Sequence, residues 1–530
     1  MSQTIEGTSK GVSPDKTSLP EEMKVTEIPI GSGQDNHGDI RPLDEHAFNF
    51  WSVFSLAFSC INSWVALVVS LATILTAGGP TAVVYGFIYA TSCTMANVLS
   101  HGEMFAVFPT AGGQYHWAAM LSPPGSRAAI SWFTGMSNVI GLWLGIAAAA
   151  FLCTNMVTSI ILVNNPDFIL TPGKQYGIFI AMTMFAPLSA LGVGSKANRR
   201  IEMGLMVLSI IGSLVIIITL LAKASPRASG SFVFASITNE TGWNSPAIAW
   251  LIGLLPSSYA FIGFDIVYHV SEELPNAKKE GPRAANWTIL FSGISAWVII
   301  VCVLFAISDV DRVLGTAYGL PFAQICMDAT NSKAATTAFI LILLIVFSNA
   351  TRGNTISAGR TLMAFARDGM LPYGGVFMTV KLGEPIYGII LSVIVALLVG
   401  LVQFGPQAAF NSLTGGSTIF FFISYTIPCA CMLFGGRRRL NKLFPDRQHN
   451  LGKWGMVCNM VSIFFVFQSL VIYVFPAARP VTPDNMNYVI VYAAFFGVVL
   501  VALWHGYAKN RYHGPRVRMP TDQGSPIYEE

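Results

Sequence analysis

The sequence is dominated by apolar runs that are long enough to cross a lipid bilayer. A transmembrane helix needs about 20 predominantly apolar residues, and twelve such runs follow one another along the chain. They lie near 48–77, 80–108, 128–163, 176–195, 201–222, 246–270, 285–307, 335–365, 385–404, 408–434, 455–476 and 486–506. The pattern predicts an all-α integral membrane protein with about 12 transmembrane helices, which we number as spans 1 to 12.

The composition agrees with a membrane protein. Only 11% of the 530 residues are charged, against about 25% in soluble globular domains. The net charge of +4 comes from short basic clusters between the apolar runs, a distribution that indicates membrane topology and no nucleic-acid partner. The eight cysteines lack the spacing of a metal site or a disulfide framework. We therefore predict no metal and no cofactor.

The basic residues sort the loops between the two sides of the membrane. Cytoplasmic loops carry an excess of lysine and arginine, and this excess follows spans 4, 6, 8, 10 and 12. The residues concerned are Lys196, Arg199, Arg200, Lys278, Lys279, Arg283, Arg360, Arg367, Lys381, Arg437, Arg438, Arg439, Lys442, Arg447, Lys453, Lys509, Arg511, Arg516 and Arg518. Both termini are therefore predicted to be cytoplasmic. The sequon at Asn239 then falls in an outside loop, where a glycan is expected if the protein passes through the secretory pathway.

The segments before and after the spans are polar. Residues 1–46 and 509–530 lack apolar periodicity and are rich in Ser, Pro, Gly and charges, as in disordered tails. We expect both to be cytoplasmic tails flanking a transmembrane domain at residues 47–508. Because the N-terminal segment contains no cleavable signal peptide, span 1 is expected to direct its own insertion.

Spans 1 and 6 are interrupted by small or polar residues. In span 1 the sequence Ser-Cys-Ile-Asn-Ser-Trp at 59–64 falls where the middle of the bilayer is expected, and in span 6 Pro256 is followed by Gly263 and Asp265. Irregular backbone at membrane depth survives where it is buried in protein or lines a cavity. Interruptions at corresponding positions of two repeats indicate the binding site of a transporter, and spans 1 and 6 stand five helices apart. Glycine and serine also serve as plain packing surfaces in membrane helices, which is the alternative interpretation.

A few ionisable residues lie within or beside the spans. A charged group inside a span is costly and is a functional candidate by default, which singles out Asp265. If the helix resumes there, His269 lies four residues on, on the same face, and can exchange a proton with Asp265. The two residues are therefore candidates for proton coupling or, as a structural pair, for gating. Glu103 is a further candidate for proton coupling or gating near the inner end of span 2. His116 and the aromatic residues beside it resemble an interfacial anchor.

Several motifs resemble one transporter superfamily. Residues 108–115 (FPTAGGQY), 261–265 (FIGFD) with 271–277 (SEELPNA), and 364–372 (AFARDGMLP) are similar to loops and to helix 6 of the amino acid/polyamine/organocation superfamily. Four further motifs resemble its fungal amino acid/choline transporter family. They are residues 62–64 (NSW), 78–80 (GGP), 239–243 (NETGW) and 480–488 (PVTPDNMNY). Together these matches span roughly residues 40 to 510, in order.

The resemblance implies a LeuT-type fold of two inverted five-helix repeats plus two peripheral helices, working by alternating access. The repeats are expected at about 47–222 and 246–404, with helices 11 and 12 at about 455–506. The implied solute is an amino acid, 4-aminobutyrate, choline, a polyamine or a related amine. We expect import across a plasma membrane, although other cellular membranes stay open, by a carrier that is proton-coupled or facilitative. Coupling to protons is inferred because the sequence shows no better ion site. Its pocket would be formed by Asn62, Ser63, Trp64, Phe261, Ile262, Gly263, Phe264 and Asp265.

Two alternatives keep the membrane class but change the function. One is a nutrient sensor of the same fold that binds its ligand without transporting it. The other is a membrane-embedded enzyme, which would need acid, base or metal groups converging at one interface, and His101, Glu103 and His116 are the crowded candidates. Because these residues adjoin a loop that resembles transporters, no enzymatic activity is predicted. The expected partners are the solute and the lipid bilayer.

Overall fold

The computed structural model describes residues 49–515 except 192, 194 and 484. Within these residues, regular structure is helical apart from one antiparallel pair of short strands, β1 (Val380–Lys381) and β2 (Glu384–Pro385), in the loop after span 8. The predicted tail at 1–46 and most of the one at 509–530 lie outside the described residues.

The first five spans and their connections contain ten α-helices. They are α1 (Phe50–Ile61), α2 (Ser63–Val69), α3 (Leu71–Thr76), α4 (Gly79–Thr81), α5 (Phe87–Phe105), α6 (Gln114–Leu121), α7 (Arg127–Asn164), α8 (Pro172–Ala190), α9 (Ser195–Lys223) and α10 (Gly230–Ala235). A π-helical turn at Ala82–Gly86 joins α4 to α5, and a 3-10 turn at Pro124–Ser126 precedes α7. Span 1 is α1 to α3, span 2 is α4 to α5, and spans 3, 4 and 5 are α7, α8 and α9.

The remaining seven spans contain fourteen α-helices. They are α11 (Pro246–Ile252), α12 (Leu255–Tyr259), α13 (Ile266–His269), α14 (Ala277–Phe305), α15 (Val310–Leu314), α16 (Pro321–Thr330), α17 (Lys333–Arg367), α18 (Gly374–Phe377), α19 (Ile386–Gly400), α20 (Gln407–Asn411), α21 (Leu413–Cys431), α22 (Arg437–Leu443), α23 (Trp454–Ile472) and α24 (Val489–Gly506). Short 3-10 or π turns lie at Ser271–Glu273, Leu401–Phe404, Met432–Gly436 and Ala508–Asn510. Span 6 is α11 to α13, and spans 7 to 12 are α14, α17, α19, α21, α23 and α24.

The predicted fold class is confirmed. In the described part of the chain, 10 helices are long and apolar enough to cross a membrane. The less apolar α8 and the interrupted span 6 complete a set of twelve. Asn49 begins span 1 with a capping box, in which its Oδ1 accepts from the N–H of Ser52 (2.9 Å) and the Ser52 Oγ accepts from the N–H of Asn49 (2.7 Å).

Four of the five pairs of spans that stand five apart in the chain have prominent contacts with each other. Span 2 contacts span 7, span 3 contacts span 8, and span 4 contacts span 9. The halves of spans 1 and 6 meet as well, since α2 contacts α12 and α1 contacts α13. This pairing is what two inverted repeats about a common axis produce. A second set of five counted from span 6 ends with α21, so it extends past the predicted limit of about 404.

The two ends of the bundle differ in charge. We call the end that carries the loops after spans 2, 4, 6, 8, 10 and 12 the basic end. Spans 1 and 6 each cross the bundle once, so the two halves of each span lie toward opposite ends. The halves α1 and α13 lie toward the basic end, and α2 and α11 lie toward the other end. The breaks in spans 1 and 6 therefore fall between the two ends.

Candidate functional site

The break in span 1 is a single left-handed residue. Asn62 has φ 41° and ψ 52°, a conformation that asparagine adopts more readily than most residues. Its N–H still closes α1 by donating to the carbonyl of Phe58 at 2.9 Å, and its own carbonyl accepts from Val65 and Ala66 as α2 begins. One residue therefore ends one helix and starts the next.

The side chains at this break are fastened to neighbouring spans. Asn62 Nδ2 donates to the carbonyl of Val346 in span 8 at 3.3 Å, and its Oδ1 accepts from Ser209 Oγ in span 5 at 3.0 Å. Trp64 Nε1 donates to the same Ser209 Oγ at 2.8 Å. All of these groups are buried. The predicted residues Asn62 and Trp64 thus hold the break in place through Ser209, which sequence reasoning missed.

The break in span 6 spreads over several residues between α12 and α13. Gly263 has φ +87°, which favours glycine. Among the described residues, the carbonyls of Phe261 and Ile262 and the N–H groups of Phe264 and Asp265 have no hydrogen-bond partner. Ser63 Oγ donates to the carbonyl of Ala260 at 2.7 Å. The structure therefore brings the predicted residues of both breaks together, with polar backbone groups available beside them.

Asp265 sits at the centre of a buried hydrogen-bond cluster. Its Oδ2 accepts from Gln114 Nε2 at 2.9 Å and from Asn138 Nδ2 at 2.8 Å, and its Oδ1 accepts from the Tyr425 hydroxyl at 2.7 Å. That hydroxyl also accepts from the N–H of Gly263 at 3.1 Å. The three partners come from α6, α7 and α21, and the sequence analysis did not select any of them as a site residue. Through Tyr425, the carboxylate also positions the backbone of the break.

His269 lies beside Asp265 in this cluster, with both ring nitrogens close to oxygen atoms. Its Nδ1 lies 2.9 Å from the carbonyl oxygen of Ala111, which can only accept, so Nδ1 carries a hydrogen. Its Nε2 faces Asp265 Oδ2 at 3.3 Å. A hydrogen bond there needs a second proton, held either by an imidazolium or by a carboxylic acid. The pair thus offers a place for one proton more than a neutral histidine beside a carboxylate holds.

Glu103 belongs to a different cluster at the basic end. Its Oε2 lies 2.7 Å from Arg437 Nη2, and its Oε1 accepts from Arg447 and from the N–H of Leu451 at 3.4 Å. Both arginines lie in the segment between spans 10 and 11. In the described residues Glu103 makes no contact with Asp265 or His269, so the structure separates two groups that the sequence proposed for one role. Its position suits the gating half of that prediction.

The residues on which the enzyme alternative rested do not converge. His101 Nε2 lies 2.9 Å from the carbonyl of Tyr425, while His116 Nε2 lies 2.8 Å from Asp368 Oδ2. Glu103 binds neither. The comparison of His116 with an interfacial anchor was wrong, because the side chain is 1% exposed and packs beneath the loop after span 2. Asp368, just beyond the end of span 8, also accepts from the Tyr115 hydroxyl at 2.8 Å.

The pKa of Asp368 is lowered from its ordinary value by this arrangement. Burial raises the pKa of the carboxyl, but the neighbouring His116, the hydrogen bonds from His116 and Tyr115, and the charge of Arg367 lower it by more. The carboxylate form is therefore stabilised in the fold. It fastens α6, which carries the Asp265 ligand Gln114, to the end of span 8.

A further buried ion pair joins spans 5 and 8 beside α1. Arg352 bonds to Glu202 and to Asn198, and Asn349 Nδ2 donates to Glu202 Oε2 at 2.7 Å. The side chains of Arg352 and Glu202 are 5% and 1% exposed. The backbone carbonyl of Glu202 also accepts from Ser59 Oγ in α1. The network therefore attaches α1 to two other spans.

Asn354 is a further polar residue that the sequence did not single out. It lies in the middle of span 8 and is only partly buried. A Cβ placed on Gly263 would lie 3.5 Å from its Oδ1, and one on Gly145 would lie 3.2 Å from its Nδ2 and from Ser417 Oγ. In the described part of the chain its amide makes no hydrogen bond. Because an unpaired polar group is costly at membrane depth, Asn354 is a candidate for binding a polar group beside the break of span 6.

The sequon residue Asn239 lies in the loop between spans 5 and 6. It is exposed, with Nδ2 donating to the carbonyl of Trp243 at 2.7 Å and Oδ1 accepting from Thr241 Oγ1 at 2.6 Å. The backbone pairs with Ala77 at the end of span 1. Glycosylation of Asn239 stays a prediction.

Comparison with known proteins identifies the family to which this fold belongs. The sequence profile of one family, described as amino acid permease, matches residues 48–496. The chain belongs to the amino acid permease family. This permease is thus a multi-pass membrane transporter, and the resemblance to the amino acid/polyamine/organocation superfamily is confirmed.

The permease is similar to several curated fungal proteins over most of its length. A choline transporter of Saccharomyces cerevisiae is 28% identical over 472 residues, which cover 88% of this chain and 82% of the relative. A GABA-specific permease of the same yeast is 28% identical over 495 residues, covering 90% and 84%. A putative amino acid/polyamine transporter of Macrophomina phaseolina is 28% identical over 440 residues, covering 82% and 96%.

Proposed function

We propose that this permease imports an amino acid or a choline-like amine across the plasma membrane by alternating access, with the solute bound where spans 1 and 6 are interrupted. The basic end is then the cytoplasmic end. The observation that carries the proposal is the contact between the two breaks, where Ser63 meets Ala260 beside unpaired backbone groups. Such groups at membrane depth supply the polar contacts that a hydrophilic solute needs.

The chemistry of the breaks suits an amine. Carbonyls such as those of Phe261 and Ile262 accept hydrogen bonds from an ammonium group, and the N–H groups of Phe264 and Asp265 donate to a carboxylate. Aromatic rings near the breaks favour a cationic head group by about 0.5–2 kcal/mol. The names of the yeast relatives, a choline transporter and a GABA-specific permease, support the same two solute classes. A polyamine stays a third candidate.

Coupling to protons is the second part of the proposal. The facing atoms of His269 and Asp265, 3.3 Å apart, give the transporter a place to bind a proton next to the break of span 6. Because Asp265 also holds Tyr425, and Tyr425 holds Gly263, a change of protonation is transmitted to the backbone of the pocket.

Uptake into cells that lack their own permeases tests the proposal. We expect saturable uptake of one labelled solute among 4-aminobutyrate, other amino acids, choline and polyamines, with competition by that solute and acceleration by an inward proton gradient. Dependence on sodium in place of protons would contradict the coupling. Binding without uptake of any solute would favour the nutrient sensor.

Replacing Asn354 by leucine tests whether its amide faces the solute. We expect the apparent KM to rise about tenfold, since a hydrogen bond to a bound solute is worth about 1.4 kcal/mol, while the amount of permease at the cell surface is unchanged. Ser348→Leu, on the same helix, is the control and should leave KM as it is. A normal KM for Asn354→Leu would remove this residue from the pocket.

A further inference from the structure

A crevice between spans 1, 5 and 7 opens at the basic end, apart from the solute site. Its wider part has a volume of about 750 Å³. The side chains that matter to its chemistry are Phe50, Trp51, Phe54, Arg283, Trp287 and Phe291. Trp51 and Trp287 are 63% and 50% exposed, and tryptophans in such positions are typical of the interface between lipid and water. The mouth of the crevice therefore lies at the level of the lipid head groups.

A second, narrower cavity adjoins the crevice toward the middle of the membrane. This narrow part has a volume of about 250 Å³, shares the lining residues Ile210 and Phe291 with the wider one, and reaches Trp64 and Ser209. These last two residues form the hydrogen bond that fastens the break of span 1. The crevice thus leads from the basic end to the back of the solute site.

One wall of the crevice is an aromatic ridge on α1. Phe50, Phe54 and Phe58 stack in sequence with ring centroids 6.2 Å apart. Phe54 and Phe58 contact Phe291 of span 7 at 6.0 and 5.5 Å. An elongated apolar group placed here would contact α1 along most of its length.

A cationic group stands at the mouth of the crevice. The Arg283 guanidinium carbon lies 4.7 Å from the centre of the Phe50 ring, and the side chain is 55% exposed. The nearest carboxylate oxygen, on Glu280, is 3.7 Å away, and in the described residues the guanidinium donates no hydrogen bond. Its N–H donors can therefore bind a phosphate group. Lys278 and Lys279 precede it at the same end.

We propose that this crevice binds an anionic phospholipid from the leaflet at the basic end. The phosphate bonds to Arg283, and one acyl chain lies along the aromatic ridge toward Trp64. Basic pockets between spans on this side of a membrane suit anionic head groups. Because the acyl chain packs on α1, the bound lipid stabilises the arrangement in which α1 rests against spans 5 and 7.

Thermal unfolding of the purified full-length permease tests the site without any transported solute. In neutral detergent with phosphatidylcholine, added phosphatidylserine should raise the unfolding temperature of the unmodified protein to a plateau. Arg283→Gln should raise the half-saturating concentration of phosphatidylserine about tenfold or more, because the charge-assisted hydrogen bonds to the phosphate are lost. Arg438→Gln, which removes an exposed arginine after span 10, should leave it unchanged. Ile210→Trp fills the narrow part and should reduce the plateau while retaining the response to head-group charge.

Three results would overturn the proposal. Equal effects of Arg283→Gln and Arg438→Gln would indicate general attraction of anionic lipid to the basic end. An equal response to phosphatidylcholine alone would remove the preference for anionic lipid. Stabilisation by a sterol that neither Arg283→Gln nor Ile210→Trp affects would assign the crevice to another ligand or to none. Since the measurement needs no uptake, its failure is distinct from failure of the proposed transport activity.

Discussion

Asp265→Asn is expected to lower concentrative uptake at least about tenfold while the amount of permease at the cell surface stays normal. The carboxylate accepts hydrogen bonds from Gln114, Asn138 and Tyr425, and under the proposed coupling it shares a proton with His269, whose Nε2 lies 3.3 Å away. Hydrogen bonds to a charged acceptor are about twice as strong as neutral ones, and an amide cannot hold that proton. The residual uptake should therefore lose its response to a proton gradient.

The measurement is labelled uptake at several external pH values, with surface biotinylation of the same cells. Asp167→Asn provides the matched control, because Asp167 is an exposed aspartate in the loop after span 3, away from the cluster. Wild-type rate and pH dependence in Asp265→Asn would exclude Asp265 from both coupling and gating. A loss of surface protein would show that the cluster is needed for folding, and Tyr425→Phe, which removes one donor only, would then separate the two roles.

The fold was largely predictable because the bilayer imposes a length on each helix. The predicted runs at 335–365 and 455–476 lie close to α17 and α23, since about 20 apolar residues are needed wherever a helix crosses. The breaks were also visible in the sequence, because Asn62 and Gly263 interrupt apolar runs. In the structure both residues adopt positive φ angles. In both cases the signal is local in the sequence.

The contacts of the site were not predictable, because they join residues far apart in the chain. Gln114, Asn138 and Tyr425 lie 127 to 160 residues from Asp265, and single polar residues of these types also occur in spans as ordinary packing groups. Glu103 illustrates the converse. From the sequence alone, a carboxylate near the end of a span could be either hydrated or paired with a cation. The partners of Glu103, Arg437 and Arg447, lie in a segment more than 300 residues away.

Arg352→Gln is expected to destabilise the permease by about 3–5 kcal/mol. Removal of one partner from a buried ion pair leaves the other charge uncompensated, and here Glu202 would remain 1% exposed with Asn349 as its remaining donor. The double variant Glu202→Gln/Arg352→Gln removes both charges and should recover most of the loss. Thermal unfolding in detergent measures both effects. Arg312→Gln is the control, because the pair of Arg312 with Asp328 is exposed on the arginine side at 64% and should contribute about 1 kcal/mol or less.

The double variant also separates stability from gating. The backbone carbonyl of Glu202 accepts a hydrogen bond from Ser59 in α1, and Asn349 lies beside Cys60. The ion pair therefore holds α1 against spans 5 and 8. Once both charges are gone, α1 keeps its apolar packing but loses part of this attachment. We therefore expect Cys60, buried in the present structure, to react faster with a thiol reagent supplied from the basic end, even though stability is near normal. An unchanged labelling rate in a stable double variant would mean that the pair supports folding alone and takes no part in opening this end.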